Sequence, residues 1–263
     1  MIPTKNSDTT IELCINSICE QTYSNIEIII VDSNSSDKTV KIAEKMGCKV
    51  LFTDWRVLGA RYEGLKASSG DYILMLDSDQ TLEKSSVERS IIFFEKYDML
   101  CLEEMTFMAK TFVEKLFEAD RKILHHESEI QLNPIYGTLL ARFYKRDLLE
   151  KAFSSIPETL FPFAVSNDHA IIYYEAWKLS NKVAIVPNAV WHKEPMTVME
   201  LWKKNFRYGK STKELLERGY YKNFVKKKAF RFRETKSKVS KDKFLSSILL
   251  LLKAPAYLIG LYF

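Results

Sequence analysis

Apolar positions in the first half of the chain fall in short runs, separated by stretches with helical spacing. Ile26-Glu27-Ile28-Ile29-Ile30-Val31 reads as a buried strand ending at Asp32 and a Ser/Asn-rich turn. Asp37-Lys38-Thr39 opens a helix that runs through Ala43 and Met46 and stops at Gly47. Lys49–Phe52 is the next strand, Gly59–Lys66 the next helix, and Tyr72–Leu76 a third strand after Ser68-Ser69-Gly70. Strand, helix, strand, helix, strand predicts an α/β fold: a mostly parallel central sheet with helices on both faces. Ligands of such sheets sit beyond the carboxyl ends of the strands, where Asp32 and Asp77 both stand.

Further on, the pattern predicts a helix over Ser86–Glu95, a strand over Met99–Leu102 and a helix over Thr111–His126. A strand over Ile135–Phe143 follows, then a helix from Asn167 to Leu179 and a short strand over Val183–Val186. Only Met1 and Ile2 precede Pro3-Thr4-Lys5-Asn6, few for a central strand of ordinary length. A first strand cut short there is expected to weaken the edge of the ligand pocket. The polar stretch Lys5-Asn6-Ser7-Asp8 does not read as the start of a secretory signal peptide.

Composition adds an appendage to this picture. With 263 residues, 46% apolar and 28% charged, the chain suits one large folded domain, placed at 1–211, and a tail at 212–263. Cys14, Cys19, Cys48 and Cys101 show neither a zinc-type pair nor a disulfide framework, which points to a reducing, cytosolic side. Between Lys203 and Lys243 there are 16 Lys/Arg against 4 Asp/Glu, a net +12. The whole chain carries +5, so the remainder carries −7. A basic run can be no more than a solvated face, but this one leads into the apolar stretch Phe244–Phe263. Those twenty residues would just reach across a bilayer, yet Lys253 near their centre and Pro255 favour two short helices lying in the interface. An anionic membrane surface is therefore the expected partner, with the chain peripheral or monotopic on the cytoplasmic face. Nucleic acid is not expected, because the basic residues lack a recognisable binding module.

The residues with most chemical content are Asp77-Ser78-Asp79, which directly follow an apolar strand. Two carboxylates so close repel unless a cation stands beside them, and a hard divalent ion with oxygen ligands, Mn²⁺ or Mg²⁺, meets that need. A lone Asp-x-Asp is also common as a solvated turn. Context decides between these readings. Pro3-Thr4-Lys5-Asn6, Gln21-Thr22-Tyr23, Ile28 through Thr39, Gly59-Ala60-Arg61 and Ser69-Gly70-Asp71-Tyr72 precede Asp77-Ser78-Asp79 in an order that resembles glycosyltransferase family 2, over roughly Ile2 to Ser211.

The resemblance implies a GT-A fold and an inverting transfer of one sugar from a nucleotide-sugar donor. It places Pro3, Thr4, Asn6, Asp32, Ser33, Arg61, Asp77 and Ser78 around the donor, and Asp77, Asp79 and His192 on the metal. Ser33 departs from the second acid of many members. Asn167-Asp168 resembles the family's acidic pair, with Asp168 as the base that takes the acceptor's proton, although Asn167 replaces the usual Glu. Ser166, Asn167 or Asp168 could equally cap the helix that follows. The Gln-x-x-Arg-Trp motif of processive members is missing from Lys203–Lys210, so one sugar per event is expected.

The implied acceptor is a lipid-linked or membrane-proximal glycan, or alternatively a polyprenyl phosphate. A degenerate binding module without activity is the non-enzyme alternative. A sugar-phosphate nucleotidyltransferase is disfavoured because Pro3-Thr4-Lys5-Asn6-Ser7 lacks glycine. His125 and His126, beside Glu127 and Glu129, read as surface, and Trp55 and Trp191 as either core or sugar platforms.

Overall fold

The computed structural model describes residues 1–125, 132–229 and 240–263. The surface reading of His126, Glu127 and Glu129, and part of the basic run, lie outside the described residues. In chain order the first elements are β1 (Ile2–Thr4), α1 (Ile11–Cys19), β2 (Ile29–Asp32), α2 (Thr39–Lys45), β3 (Lys49–Phe52), α3 (Val57–Ala67) and β4 (Tyr72–Leu74). Then come β5 (Gln80–Leu82), α4 (Ser86–Phe93), β6 (Met99–Thr106), α5 (Phe112–His125), β7 (Ala141–Lys145), α6 (Arg146–Ser154) and α7 (Asp168–Leu179). The chain continues with β8 (Val183–His192), α8 (Val198–Glu217), α9 (Lys222–Ala229) and α10 (Ser240–Tyr262). Two compact units result: Met1–Glu103 with Leu140–Trp191, and Glu104–Leu139 with His192–Phe263. The boundary expected after residue 211 falls inside α8.

In the first unit β1, β2 and β3 form the predicted parallel sheet, with Ile2 opposite Ile30 and Ile29 opposite Lys49. The other strands run in the order β4-β7-β6-β8-β5, and β7 pairs antiparallel with both β4 and β6. Pairing is thus parallel among β1, β2 and β3, whereas β7 opposes its neighbours β4 and β6. Helices still separate the strands from β5 to β8, but β7 runs opposite to both its neighbours, a pairing that does not require a crossover helix. Met1 joins the two sheets: its amine donates to the Leu74 carbonyl at 2.8 Å, and Leu76 N–H donates to its carbonyl at 3.2 Å. Short as it is, β1 pairs along its whole length with β2.

Ile29, Ile30 and Val31 are buried because β2 lies inside this sheet, which explains an apolar run without alternation. Helix α1 covers it with Ile11, Cys14, Ile15 and Ile18, spaced for one helical face. Each such side chain contributes about 1.5–3 kcal/mol on leaving water. A cavity of about 360 Å³ lies at the amino ends of β2 and β4, lined by Ile26, Ile28, Tyr72 and Leu82. It contains neither Asp32 nor Asp77, which stand at the other ends of the strands.

In the second unit α10 packs along α8 and α5 around Leu116, Leu201 and Leu249. It is one helix with Pro255 inside it, not the two short helices expected. Proline removes one intrahelical hydrogen bond, but packing at Leu249, before it, and at Ala256 and Gly260, after it, holds the helix on line. The crossing is close enough that a Cβ on Gly209 would stand 2.0 Å from the Tyr257 carbonyl oxygen, and one on Gly260 2.1 Å from that of Phe206.

Candidate active site

The turn after β2 is built from short polar side chains. Asp32 is fully buried and accepts from the Thr4 hydroxyl at 2.7 Å, the Ser35 amide at 2.7 Å and the Ser35 hydroxyl at 2.6 Å. Its carboxylate thus ties the ends of β1 and β2 together. Asn6 and Asn34 make the corners at φ 52° and 60°, left-handed values that asparagine tolerates better than other side chains. Asn6 Oδ1 accepts from the Ser36 amide at 2.9 Å, and Ser33 donates its hydroxyl to the Trp55 carbonyl at 2.9 Å. Ser78 donates to the Ser7 hydroxyl at 2.9 Å, so the Asp77-Ser78-Asp79 turn is hydrogen-bonded to the loop after β1. Pro3 lies in β1 opposite Val31.

Arg61 is the centre of the arrangement, a guanidinium only 1% exposed on the inner face of α3. Its helix sits tight against the loop before it, for a Cβ on Gly59 would stand 2.6 Å from that of Trp55. Arg61 Nε donates to Asp168 Oδ2 at 2.7 Å and Nη2 to Asp77 Oδ1 at 2.5 Å. Arg142, from β7, donates to Asp77 Oδ2 at 2.8 Å. His169 brings Nε2 to 2.7 Å from Arg61 Nη2 and 2.6 Å from Arg142 Nη1. Burial would raise the Asp77 carboxyl, but Arg142 and Arg61, with His169, hold it well below the usual carboxylate range. Burial and the same two arginines depress His169.

Asp168 opens α7, and the preceding Asn167 sits at φ 67° without a side-chain capping bond. The Asp168 carboxylate is turned to Arg61 instead of to the helix end. Asp77, Arg61 and Asp168, predicted separately, therefore meet. Trp55 packs against Tyr62 and Phe161, with ring centroids 6.5 and 5.7 Å away. Arg142 and His169 escaped the sequence reading. Their signals were faint: an arginine interrupting an apolar strand, and a histidine directly after the expected base.

His192 belongs to the second unit, where it is buried with Nδ1 3.1 Å from Glu194 Oε1. Arg121 donates to Glu194 at 2.8 Å and to Glu104 at 2.7 Å. Burial would raise Glu194, but His192 and Arg121 bring it down to about 2.

Among the described residues no group of three or more His, Cys, Asp or Glu side chains could by itself hold a metal ion. Each Asp77 oxygen accepts from one arginine and keeps a second lone-pair site. Asp77 and Asp79 are both half-buried in this turn, as carboxylates that could bind a cation keeping most of its ligands from water and substrate phosphates.

A profile of the family described as "Glycosyl transferase family 2" matches residues 1–153, more than half of the chain. The chain belongs to this family. An uncharacterized glycosyltransferase of Rickettsia bellii is 29% identical over 227 residues, 83% of this chain and 67% of that protein. The family's GT-A architecture is shared with Staphylococcus aureus TarS, at a TM-score of 0.57 and 16% identity, over 99% of this chain and 53% of TarS. It is shared too with glucosyl-3-phosphoglycerate synthase from Mycobacterium tuberculosis, crystallised with Mn²⁺, uridine diphosphate and phosphoglyceric acid. There the TM-score is 0.55 and the identity 21%, over 82% of this chain and 76% of the synthase.

Proposed function

We propose that this family 2 chain is an inverting glycosyltransferase that moves one sugar from a nucleotide-diphosphate sugar to a hydroxyl of a lipid-linked or membrane-proximal glycan. The observation that carries the reading is the meeting of Asp77, Arg61 and Asp168 within hydrogen-bond distance at the carboxyl end of the sheet. TarS has been crystallised with UDP-GlcNAc, which supports a nucleotide-sugar donor here.

In this reading Pro3, Thr4, Asn6, Asp32, Ser33 and Ser78 shape the donor pocket, and Arg61 fixes the two carboxylates on either side of it. Asp168 Oδ2 is held by Arg61, and Oδ1 is the oxygen that takes the acceptor's proton. The acceptor oxygen then bonds to the anomeric carbon, and the bond from that carbon to the diphosphate breaks. The electron pair leaves with the nucleoside diphosphate. Asp79 would help to hold a divalent cation, which when bound would supply Lewis-acid stabilisation of that leaving group.

Membrane contact is supported by α10, of which residues Lys241–Tyr262 are long and apolar enough to cross a bilayer. Leu250, Leu251, Leu258 and Tyr262 are exposed on it, and Met199, Trp202 and Phe206 are exposed on α8, next to Lys203 and Lys204. An apolar face edged by lysines fits the cytoplasmic headgroup region.

The test is hydrolysis and transfer from a panel of nucleotide sugars with Mn²⁺ or Mg²⁺, comparing the full chain with its Asp168→Asn variant. The proposal expects turnover with at least one donor and a severe loss in the variant. Turnover that survives Asp168→Asn would assign a phosphate acceptor such as a polyprenyl phosphate, which needs little general base. No turnover and no nucleotide binding would leave a degenerate module.

A further inference from the structure

We propose that α8 and α10 form a two-helix platform that lies in the headgroup plane of an anionic bilayer without crossing it, sunk to the depth of one stripe of side chains. This rests on the membrane contact read above and deepens it, from a helix long enough to cross to a defined face, orientation and lipid charge.

The two helices run side by side in the same direction. Leu201 shares a core with Leu249, Gly209 meets Gly260, and Lys213 Nζ donates to the Phe263 carbonyl at 3.5 Å. At about 100° per residue, one side of α10 carries Leu249, Ala256 and Gly260, all buried. The opposite side carries Phe244, Ser247, Leu251, Pro255, Leu258 and Tyr262, all exposed, with Leu251 and Tyr262 each at 72%. No charged side chain lies in that stripe. Lys253, which interrupts the apolar run in the sequence, falls on the packed side with Gly260 and is half-buried. On α8 the same spacing puts Met199, Trp202 and Phe206 next to Gly209, hence next to α10, and Lys203, Arg207 and Lys210 in the sector beyond, all of them exposed.

Across the pair, apolar surface is thus bordered by cations, the arrangement of an interfacial helix on anionic headgroups. The stripe on α10 runs about 27 Å at 1.5 Å per residue, and contiguous apolar surface of this extent on a soluble chain marks a docking face. Length and composition fit a crossing helix as well, but two features oppose crossing. A crossing α10 would carry its neighbour α8 into hydrocarbon with Lys203, Arg207 and Lys210, where charged side chains are disfavoured. Pro255 also has no N–H for the Leu251 carbonyl; in hydrocarbon that oxygen stays unpaired, whereas at the interface water reaches it.

The experiment uses the full chain with vesicles of phosphatidylcholine, alone or mixed with phosphatidylglycerol. Flotation with the mixed vesicles, strongly reduced without phosphatidylglycerol, is expected of the unaltered chain. No flotation with either refutes the membrane contact itself, and flotation indifferent to phosphatidylglycerol overturns the anionic assignment. For orientation, nitroxide labels are placed one at a time through Phe244→Cys, Leu251→Cys and Tyr262→Cys, in a chain carrying Cys19→Ser and Cys48→Ser. Relaxation by oxygen against a water-soluble nickel complex reads their depth. Equal, shallow depths at all three support the platform; a label at 251 much deeper than the other two identifies a crossing helix and overturns it.

Two sets of substitutions test the face. Lys203→Glu with Arg207→Glu and Lys210→Glu is expected to weaken partitioning about tenfold or more, and so is Leu251→Asp with Leu258→Asp. Both should leave the melting temperature unchanged, because every side chain altered is exposed. Unaltered partitioning in either overturns the inference. So does a dimer in vesicle-free solution that Leu251→Asp dissociates, which would assign the stripe to a second copy of the chain.

Discussion

At the scale of single residues, the site is a problem of charge balance in a buried place. Arg61 is only 1% exposed, so each of its bonds replaces lost hydration. Asp77→Asn alone leaves two guanidinium groups short of a counter-charge, and removal of one partner of a buried pair costs about 3–5 kcal/mol. Chemical denaturation should register that loss. Asp79→Ala leaves the bonds of Arg61 in place and should abolish turnover. Asp168→Asn is expected to lower kcat by about 10²–10⁴ on a hydroxyl acceptor, the usual size of a general-base contribution. The residue types were legible before the fold was known, since Asp77, Arg61 and Asp168 were all singled out. That Asp77 is spent on Arg142, whose position is 65 residues later, was not. Sequence spacing carries no information on which buried donor reaches which acceptor across a sheet.

At the scale of elements, helices with a strong apolar period were predicted nearly to their ends: Thr111–His126 against Phe112–His125, and Asn167–Leu179 against Asp168–Leu179. Strands fared less evenly. Lys49–Phe52 matches, but Ile135–Phe143 resolves to Ala141–Lys145, and β5 was not foreseen. Three residues give too few alternations to register against the surrounding polar turn.

The start of α5 shows local sequence doing its own work. Glu114 accepts from the amides of Lys110 at 3.0 Å and Thr111 at 2.7 Å, and the Thr111 hydroxyl accepts from the Glu114 amide at 3.3 Å, a capping box. Burial would raise the Glu114 carboxyl, but these amide bonds lower it below its ordinary 4.5. A carboxyl depressed in the folded state adds stability above its unfolded pKa and loses it as pH falls through the folded one. Glu114→Gln should therefore flatten the decline of stability below about pH 4.5, read by denaturation across an acid series. The crossing of α8 and α10 gives the other test at this scale. Gly209→Ala must push backbones apart, at a cost of about 1–3 kcal/mol, visible as a lower melting temperature.

At the scale of the whole molecule, charge and apolar surface are distributed unevenly along the chain. The run from Lys203 to Lys243 carries a net +12 against −7 elsewhere, and it leads directly into α10. If that region meets a bilayer, co-sedimentation with vesicles should require anionic lipid and fall as salt rises, because exposed charges are screened within about 10 Å at 0.1 M. Leu250→Ser with Leu251→Ser should weaken it without altering melting, since both side chains are exposed. Unchanged binding would move the membrane contact elsewhere.

The division between local and long-range information is physical. Apolar periodicity and the order of the motifs are properties of neighbouring residues, and from them the sequence alone determined an α/β fold of glycosyltransferase family 2 and singled out Asp77, Arg61 and Asp168. Only tertiary structure decided that β7 pairs antiparallel with β4 and β6, that α10 stays whole through Pro255, and that Arg142 and His169 gather around Asp77 and Arg61. Each of these depends on atoms far apart in the chain, where packing and desolvation, not local preference, set the energy.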